Sequence, residues 1–477
     1  MAPDCCSSVW SPRPQGVHPV QEPPTSEPTV YEELLARWRR GRRRVFAALY
    51  VTYAAFYLCR ANLGPAKSAL ERAVGLTKAR QGDLDFLFKA GYAIGQFISG
   101  QLGDRYGGRL MIGLGAVGGA VMCAAFGLSY DFPVLAMFWV FTAIFLSFGW
   151  PAVTKTFANW FPMRVRGRLQ TALSSSYQIG PALTWLLVGA LLDHFGWRSA
   201  FLVPAAILAV VGLAYAAVSR DSPQQAGLPP LERLDTIEAG GPMAVAEGVA
   251  GEPHPEDLRD QHLGFRFTLR RTLADWRVWC VAVAYLGIDI ARHGTLDWLP
   301  RYFSDIAPGM KMMDVAGRAM ILPLAGAIGA MAAGWATDRF FGSQRVPLTV
   351  GLLVLVGGFI MLWAGAGNAL AARANVYLAA MGFLIYAPQV LIVGPIALDL
   401  STRKASASAT GFVGGIGYGG SAIMALIAGR ILEAHQRAGD PLGGWHTLFG
   451  VWAAAAFLAA LVLLPLWRLR PGHDAYH

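Results

Sequence analysis

Charged residues are scarce in this chain. They make up 15% of its 477 residues, whereas a soluble domain carries roughly a quarter. Apolar runs of about 20 residues, long enough for a helix to cross a hydrocarbon core of roughly 30 Å, recur between short polar segments. The runs are too long for barrel strands, and lipid offers no partner to free backbone groups. The sequence therefore predicts an all-α membrane protein.

Metal, cofactor and catalytic patterns are missing as well. The spacing of the five cysteines fits neither a zinc site nor a disulfide framework. A glycine pattern at 113–118 matches the dinucleotide fingerprint, but it lies inside a predicted spanning helix with no strand before it, so we interpret it as helix packing. We expect no enzymatic activity, no metal, no cofactor and, from the polar first thirty residues, no signal peptide.

Twelve spanning helices are predicted, six in each half. They lie at 45–64, 84–103, 110–129, 133–157, 169–192 and 199–218, then at 277–298, 316–337, 347–367, 374–398, 406–432 and 447–467. A Pro- and Gly-rich polar stretch between the sets shows no periodicity and is interpreted as a linker. The predicted domains are a tail at 1–44, a bundle at 45–218, a linker at 219–276, a bundle at 277–467 and a tail at 468–477.

Basic residues alternate between loops. They are six arginines within positions 37–44, then Arg105, Arg109, Arg164, Arg166, Arg168, Arg220, Arg339, Arg345, Arg403 and Lys404 after every second span. By the positive-inside rule these loops, the linker and both termini are cytoplasmic, and we expect the membrane to be the cell (inner) membrane. The net charge of +10 is thus explained by topology, and we expect a lipid bilayer rather than nucleic acid as the partner.

The two halves share a loop signature. GQLGDRYGGR at 100–109 follows the second span, and GWATDRFFG at 334–342 follows the eighth, 234 residues later. Such a repeat of six spans predicts a pseudo-twofold axis along the membrane normal and a central site between the halves. The alternative for the loops themselves is topogenic charge with a tight turn. We favour a gate in which an acid beside an arginine binds a helix end; its residues would be Asp104, Arg105, Arg109, Asp338 and Arg339.

A few ionisable residues fall inside predicted spans. We single out Arg60, Lys89, Asp289 and Arg292, with Lys155 and Asp297 near span ends. Such a group costs about 2.5 to 3.5 kcal/mol at the centre of a spanning helix, so those present usually line a cavity. These residues are therefore the candidates for a site.

Arg60 and Arg292 lie 232 residues apart, almost the offset of the loop repeat. They should occupy equivalent heights on equivalent helices and repel each other unless an anion lies between them. Guanidinium forks suit bidentate binding of phosphate oxygens, so a tetrahedral dianion fits well. The alternative is that each arginine is neutralised by an acid, for which Asp289 is a candidate; the first helix holds no acid for Arg60.

Two tyrosines precede Arg60 at helical spacing. Tyr53 and Tyr57 lie at i−7 and i−3, which predicts one shared helix face. Their hydroxyl groups would then donate to a phosphate or a polyol, or else the rings serve only in packing.

Four segments of the sequence are distinctive: YLCRAN at 57–62, RDSPQQAGLPP at 220–230, ARHGTLDWLP at 291–300 and GFLIYAP at 382–388. In these segments the chain resembles the organophosphate:phosphate antiporter family of the major facilitator superfamily. The resemblance implies the twelve-helix major facilitator fold and exchange of a phosphorylated metabolite for inorganic phosphate. It also implies roles for single residues: phosphate binding by Arg60 and Arg292, cavity tyrosines at Tyr53, Tyr57, Tyr386 and Tyr418, and a gate acid at Asp297.

The sequence also departs from the glycerol-3-phosphate branch of that family. Ala61 replaces a lysine that usually pairs with the gate acid, Tyr177 replaces a histidine, and Gln96 replaces a lysine. Lys89 either restores the lost positive charge at the substrate or pairs with Asp289, a further candidate gate residue. The ester remains open between glycerol 3-phosphate and a sugar phosphate.

We expect a functional monomer that transports a phosphate ester. Two alternatives stay open: a non-transporting sensor of sugar phosphates with the same fold, and a proton-coupled organic anion carrier with Asp289 as its titrating group.

Overall fold

The computed structural model describes residues 27–240, 274–341, 344–366, 374–396, 400 and 406–468, and each regular element in those ranges is helical. The first half contains α1 (Glu27–Phe56), α2 (Leu63–Val74), α3 (Lys78–Tyr106), α4 (Gly108–Leu128), α5 (Phe132–Ser147), α6 (Gly149–Trp160), α7 (Met163–Ser174), α8 (Ser176–Phe195), α9 (Ser199–Val218) and α10 (Leu231–Gly240). The second half contains α11 (Trp276–Ile306), α12 (Met312–Ala319), α13 (Ile321–Phe340), α14 (Arg345–Ala366), α15 (Ala374–Leu391), α16 (Ser406–Arg437) and α17 (Pro441–Leu463).

Helices lie at all twelve predicted spans. Eight helical stretches of the described chain are long and apolar enough to cross a membrane by length and composition. The helices of the other four predicted spans, α1, α3, α8 and α11, are not among these eight. Of these, α3 and α11 each carry several charged residues along their length. The charges that lower the apolar character of these two helices include those assigned to the site.

The first predicted span is interrupted rather than continuous. Helix α1 ends at Phe56, a 3₁₀ turn covers Tyr57–Cys59, and α2 begins at Leu63. Pro65 explains the break, because a proline ring clashes with the carbonyl four residues earlier in a continuous helix. That carbonyl belongs to Ala61 and instead accepts a hydrogen bond from the Trp185 indole at 3.1 Å.

Each half has its own buried hydrophobic cluster. The halves meet where α3 packs on α16 and where α8 packs on α12 and α13. The predicted twofold axis exchanges these two contacts, since it relates the second span to the eighth and the fifth to the eleventh. The first contact depends on glycine: a Cβ at Gly82 would lie 2.5 Å from the Ala425 carbonyl and 3.1 Å from the Gly429 Cα.

The predicted linker contains a short helix. Its first part forms α10, whose Leu234 is fully buried, and Glu238 accepts hydrogen bonds from Arg39 at 3.0 Å and Arg42 at 3.3 Å on α1. The expectation of a stretch without periodicity was therefore wrong for 231–240. The apolar residues Leu231, Leu234 and Ile237 follow helical spacing, but over too few turns to stand out in the sequence.

Candidate functional site

A cavity lies between the two halves. Its walls come from the 3₁₀ turn after α1, the start of α2, and α3, α5, α8, α11, α15 and α16. Most of the residues predicted to bind substrate line it, together with one predicted gate acid: Tyr57, Arg60, Lys89, Tyr177, Arg292, Asp297, Tyr386 and Tyr418. Residues from both halves of the sequence thus form one chamber.

Arg60 is held by tyrosines. It directly follows the 3₁₀ turn and donates from Nη1 to the Tyr92 hydroxyl at 3.2 Å and from Nη2 to the Tyr418 hydroxyl at 2.6 Å. Its guanidinium also stacks on the rings of Tyr57 and Tyr92, 5.0 and 4.4 Å from their centroids. No carboxylate of the described chain forms an ion pair with it. Within the described residues, the partners of the Arg60 charge are therefore neutral.

Arg292 lies on α11 and has different neighbours. Its Nη1 donates to the His293 imidazole at 3.1 Å and lies 3.6 Å from Asp289 Oδ1, while the guanidinium stacks on Tyr386. Asp289 is completely buried, and both its oxygens, like Arg292 Nε, have no hydrogen-bond partner within the described residues. The carboxylate is close enough to attract Arg292 but does not occupy its donors.

The two arginines thus meet the conditions for an anion site. Both line one cavity, and neither guanidinium hydrogen-bonds a carboxylate among the described residues. Like charges in a low-dielectric chamber repel, and a phosphate between them would supply both countercharge and acceptor oxygens. The arrangement suits reversible binding of an anion, and no nucleophile or general base is needed for it.

Lys89 lies in the cavity but is paired. Its ammonium donates to Asp297 Oδ2 at 2.7 Å and to the Ser421 carbonyl at 3.2 Å. The suggested pairing with Asp289 is therefore wrong, and the ammonium is engaged with Asp297 instead of being free for substrate. Helix α3 thus supplies a partner for Asp297, the predicted gate acid, where the resemblance implied a lysine at the position of Ala61.

An ion-pair layer joins the halves at the end of the bundle that carries α2, which we call the α2 end. Among the described residues the pairs across the halves are Lys78–Asp305 at 2.8 Å, Lys89–Asp297 at 2.7 Å, Asp83–Arg430 at 3.2 Å and Glu71–Arg301. Lys67 is fully buried, pairs with Asp85 of its own half at 2.6 Å and donates to the Asp297 carbonyl of the second half at 2.8 Å. These contacts hold the α2 end closed.

Sequence reasoning missed several residues of the cavity and of this layer. Asp85 falls inside the second predicted span, one helical turn before Lys89, so its charge was a usable signal. His293 lies next to Arg292 and lines the cavity, yet one histidine in an apolar helix carries no distinctive pattern. The partners of Lys67 and Arg301 depend on how helices are rotated, which spacing alone does not define.

Tyr53 is not among the residues that line the cavity. Its ring packs against Trp150 and Tyr57, 4.8 and 5.8 Å from their centroids, and it is 5% exposed. The shared face predicted for Tyr53, Tyr57 and Arg60 requires a continuous helix, whereas the 3₁₀ turn after Phe56 rotates the later residues. Tyr53 therefore lies off the cavity wall in this structure, and its predicted substrate contact stays a prediction.

The loop signature is only partly visible. The side chains of Asp104, Arg105 and Asp338 lie outside the described part of the structure, and Arg339 is exposed. Arg109 donates its amide to the Asp221 carboxylate at the start of α4, where an anion is favoured by the helix dipole. Burial raises the pKa of Asp221, opposed by that amide and by the Arg109 charge. Sequence analysis did not single out Asp221.

The fold and the central cavity define a multi-pass membrane transporter with two related halves. The profile of the Major Facilitator Superfamily matches residues 49–425, and the chain belongs to that superfamily, which comprises transporters and not enzymes. A bacterial homologue of the human lysosomal transporter Spinster, inward-facing and unoccupied, superposes with a TM-score of 0.70 at 16% identity over 89% of this chain and 98% of that one. The predicted fold is confirmed.

Relatives that match nearly the whole chain show to which members of the superfamily it is similar. The chain is 29% identical to the membrane sensor protein UhpC of Salmonella typhimurium, over 95% of this chain and 98% of that protein. It is 29% identical to the glycerol-3-phosphate transporter of Bacillus subtilis, over 91% and 94%. It is 28% identical to a probable hexose phosphate transport protein of Chlamydia trachomatis, over 93% and 94%. The resemblance to organophosphate transporters is thus confirmed.

Proposed function

We propose that this protein exchanges an organic phosphate ester for inorganic phosphate across a membrane by alternating access. The observation that carries the proposal is that Arg60 and Arg292 line one cavity while neither hydrogen-bonds a carboxylate among the described residues. Tyr57, Tyr177, Tyr386 and Tyr418 would contact the rest of the substrate. The relatives named for hexose phosphate and glycerol 3-phosphate support the same class of substrate.

In this proposal the bundles 45–218 and 277–467 rock against each other around the bound anion, and a monomer suffices. A ligand shifts a conformational equilibrium only by binding one state better than the other. Phosphate held by both arginines lowers the free energy of the occluded state, so the empty carrier crosses slowly. Because basic loops face the cytoplasm by the positive-inside rule, we expect both termini to be cytoplasmic and the closed α2 end to be extracellular.

The test is phosphate counterflow in reconstituted vesicles. Vesicles loaded with phosphate should take up labelled phosphate, whereas phosphate-free vesicles should take up little. A competition panel of glycerol 3-phosphate, glucose 6-phosphate and 3-phosphoglycerate then identifies the ester. Equal uptake by loaded and empty vesicles would contradict obligatory exchange.

Two other functions give different outcomes in the same assay. A sensor, favoured by the 29% identity to UhpC, would bind hexose phosphate without counterflow. A proton-coupled carrier of another anion, favoured by the buried Asp289, would need a proton gradient and ignore phosphate.

A further inference from the structure

His293 lies between the arginine of the anion site and the ion pair of the α2 end. Asp289, His293 and Asp297 follow at intervals of four residues along one face of α11. The imidazole Nε2 is 3.7 Å from Asp289 Oδ1, and Nδ1 is 3.8 Å from Asp297 Oδ2. One ring thus faces two carboxylates, and the second of these holds Lys89.

The hydrogen bond from Arg292 shows which nitrogen of the His293 ring carries no hydrogen. Arg292 Nη1 lies 3.1 Å from Nε2 and can only donate, so Nε2 holds the lone pair in this structure. The ring hydrogen is then on Nδ1, on the side of Asp297. While Arg292 stays in place, His293 is neutral and adds no charge to the Lys89–Asp297 pair.

The surrounding charges explain why binding of an anion changes this state. The charged and titratable groups around the ring are Asp289, Arg292 and Asp297 on α11, Lys89 on α3, Arg60 after the 3₁₀ turn and Tyr418 on α16, with Tyr386 of α15 stacked on Arg292. Three cations act against two carboxylates, which opposes a further positive charge on the ring. A phosphate dianion on the arginines reverses that balance.

We propose that His293 couples occupancy of the anion site to release of the Lys89–Asp297 ion pair. When phosphate draws the Arg292 donors away, Nε2 accepts a proton from the aqueous cavity, and the imidazolium competes with Lys89 for Asp297. The pair that joins α3 to α11 weakens only after the anion has bound. The inference rests on the proposed phosphate exchange and adds one proton to the bound state.

The test uses His293→Gln, which can still accept a hydrogen bond from Arg292 but cannot become a cation. Phosphate binding by the purified variant should stay within about threefold of wild type, while counterflow should fall by at least about tenfold, a typical loss when two sites are uncoupled. Proton uptake on phosphate binding, measured in weak buffer, should disappear. His194→Gln is the matched control, because His194 is exposed at the far end of α8.

The pH profile and a rescue variant separate coupling from a structural role. Wild-type counterflow should decline with rising pH more steeply than that of His293→Gln; the ionisation of phosphate affects both proteins equally. Replacing Lys89 by Met in the His293→Gln protein removes the pair that His293 must release, so counterflow should partly return. His293→Asn provides a second neutral variant if the Gln protein does not fold.

Two results would overturn the inference. One is a His293→Gln or His293→Asn protein with wild-type counterflow and proton uptake; the other is a double variant that binds phosphate yet regains no counterflow. Failure of the wild-type protein to bind phosphate would instead contradict the proposed function, so the two failures are distinguishable.

Discussion

The surroundings of Arg60 and Arg292 differ although the sequence repeat relates the two residues. Arg60 is held by two tyrosine hydroxyl groups, whereas Arg292 has Asp289 at 3.6 Å and the His293 imidazole at 3.1 Å. The two halves thus share an arginine at this position of the repeat, but the residues around each arginine differ. The partners of Arg60 are neutral hydroxyl groups, whereas Arg292 lies beside a carboxylate and an imidazole, which can gain or lose a proton. In the proposed cycle Arg60 holds the anion, and Arg292 transmits the binding of the anion to His293.

The largest expected effect tests what the two arginines share. Replacing Arg60 or Arg292 by Lys keeps the charge but removes the fork, and losing a buried charge-assisted pair typically costs 2 kcal/mol or more. Phosphate counterflow by either variant should fall by at least about thirtyfold. Arg80→Lys, on an exposed arginine near the start of α3, is the matched control. Normal counterflow by either variant at equal protein levels would remove the arginine pair from the mechanism.

Much of the fold was predictable, because span length and loop charge are properties of the sequence alone. The common offset also predicts that Arg60 and Arg292 approach each other, and both line the cavity. Partner choice was not predictable. Whether Lys89 pairs with Asp289 or Asp297 depends on how α3 and α11 are rotated, and the placement of Tyr53 depends on a break that Pro65 imposes.

A smaller effect tests the tyrosine support of Arg60. Tyr418→Phe removes the acceptor 2.6 Å from Arg60 Nη2, and a hydrogen bond to a charged group contributes about 1.5 kcal/mol or more. Arg60 would then be less well placed for phosphate, and we expect about tenfold weaker binding by calorimetry. Tyr377→Phe is the control, since Tyr377 packs on Phe359 and Trp363 away from the cavity. Unchanged affinity would mean that the Tyr92 hydroxyl and ring stacking are enough to position Arg60.

The smallest effect has the opposite sign and belongs to Arg292 only. Asp289 attracts the guanidinium that phosphate must bind, but at 3.6 Å it makes no hydrogen bond, so its competition is weak. Asp289→Asn should therefore tighten phosphate binding, on the order of threefold, and lower the thermal midpoint of the empty protein. Added phosphate should restore that midpoint, because the anion replaces the lost countercharge. Asp131→Asn, at an exposed carboxylate before α5, should change neither quantity. If Asp289→Asn weakened binding instead, the carboxylate would be orienting Arg292 for the anion. Asp289 would then not compete with phosphate for Arg292, and the proposed difference between Arg60 and Arg292 would not hold.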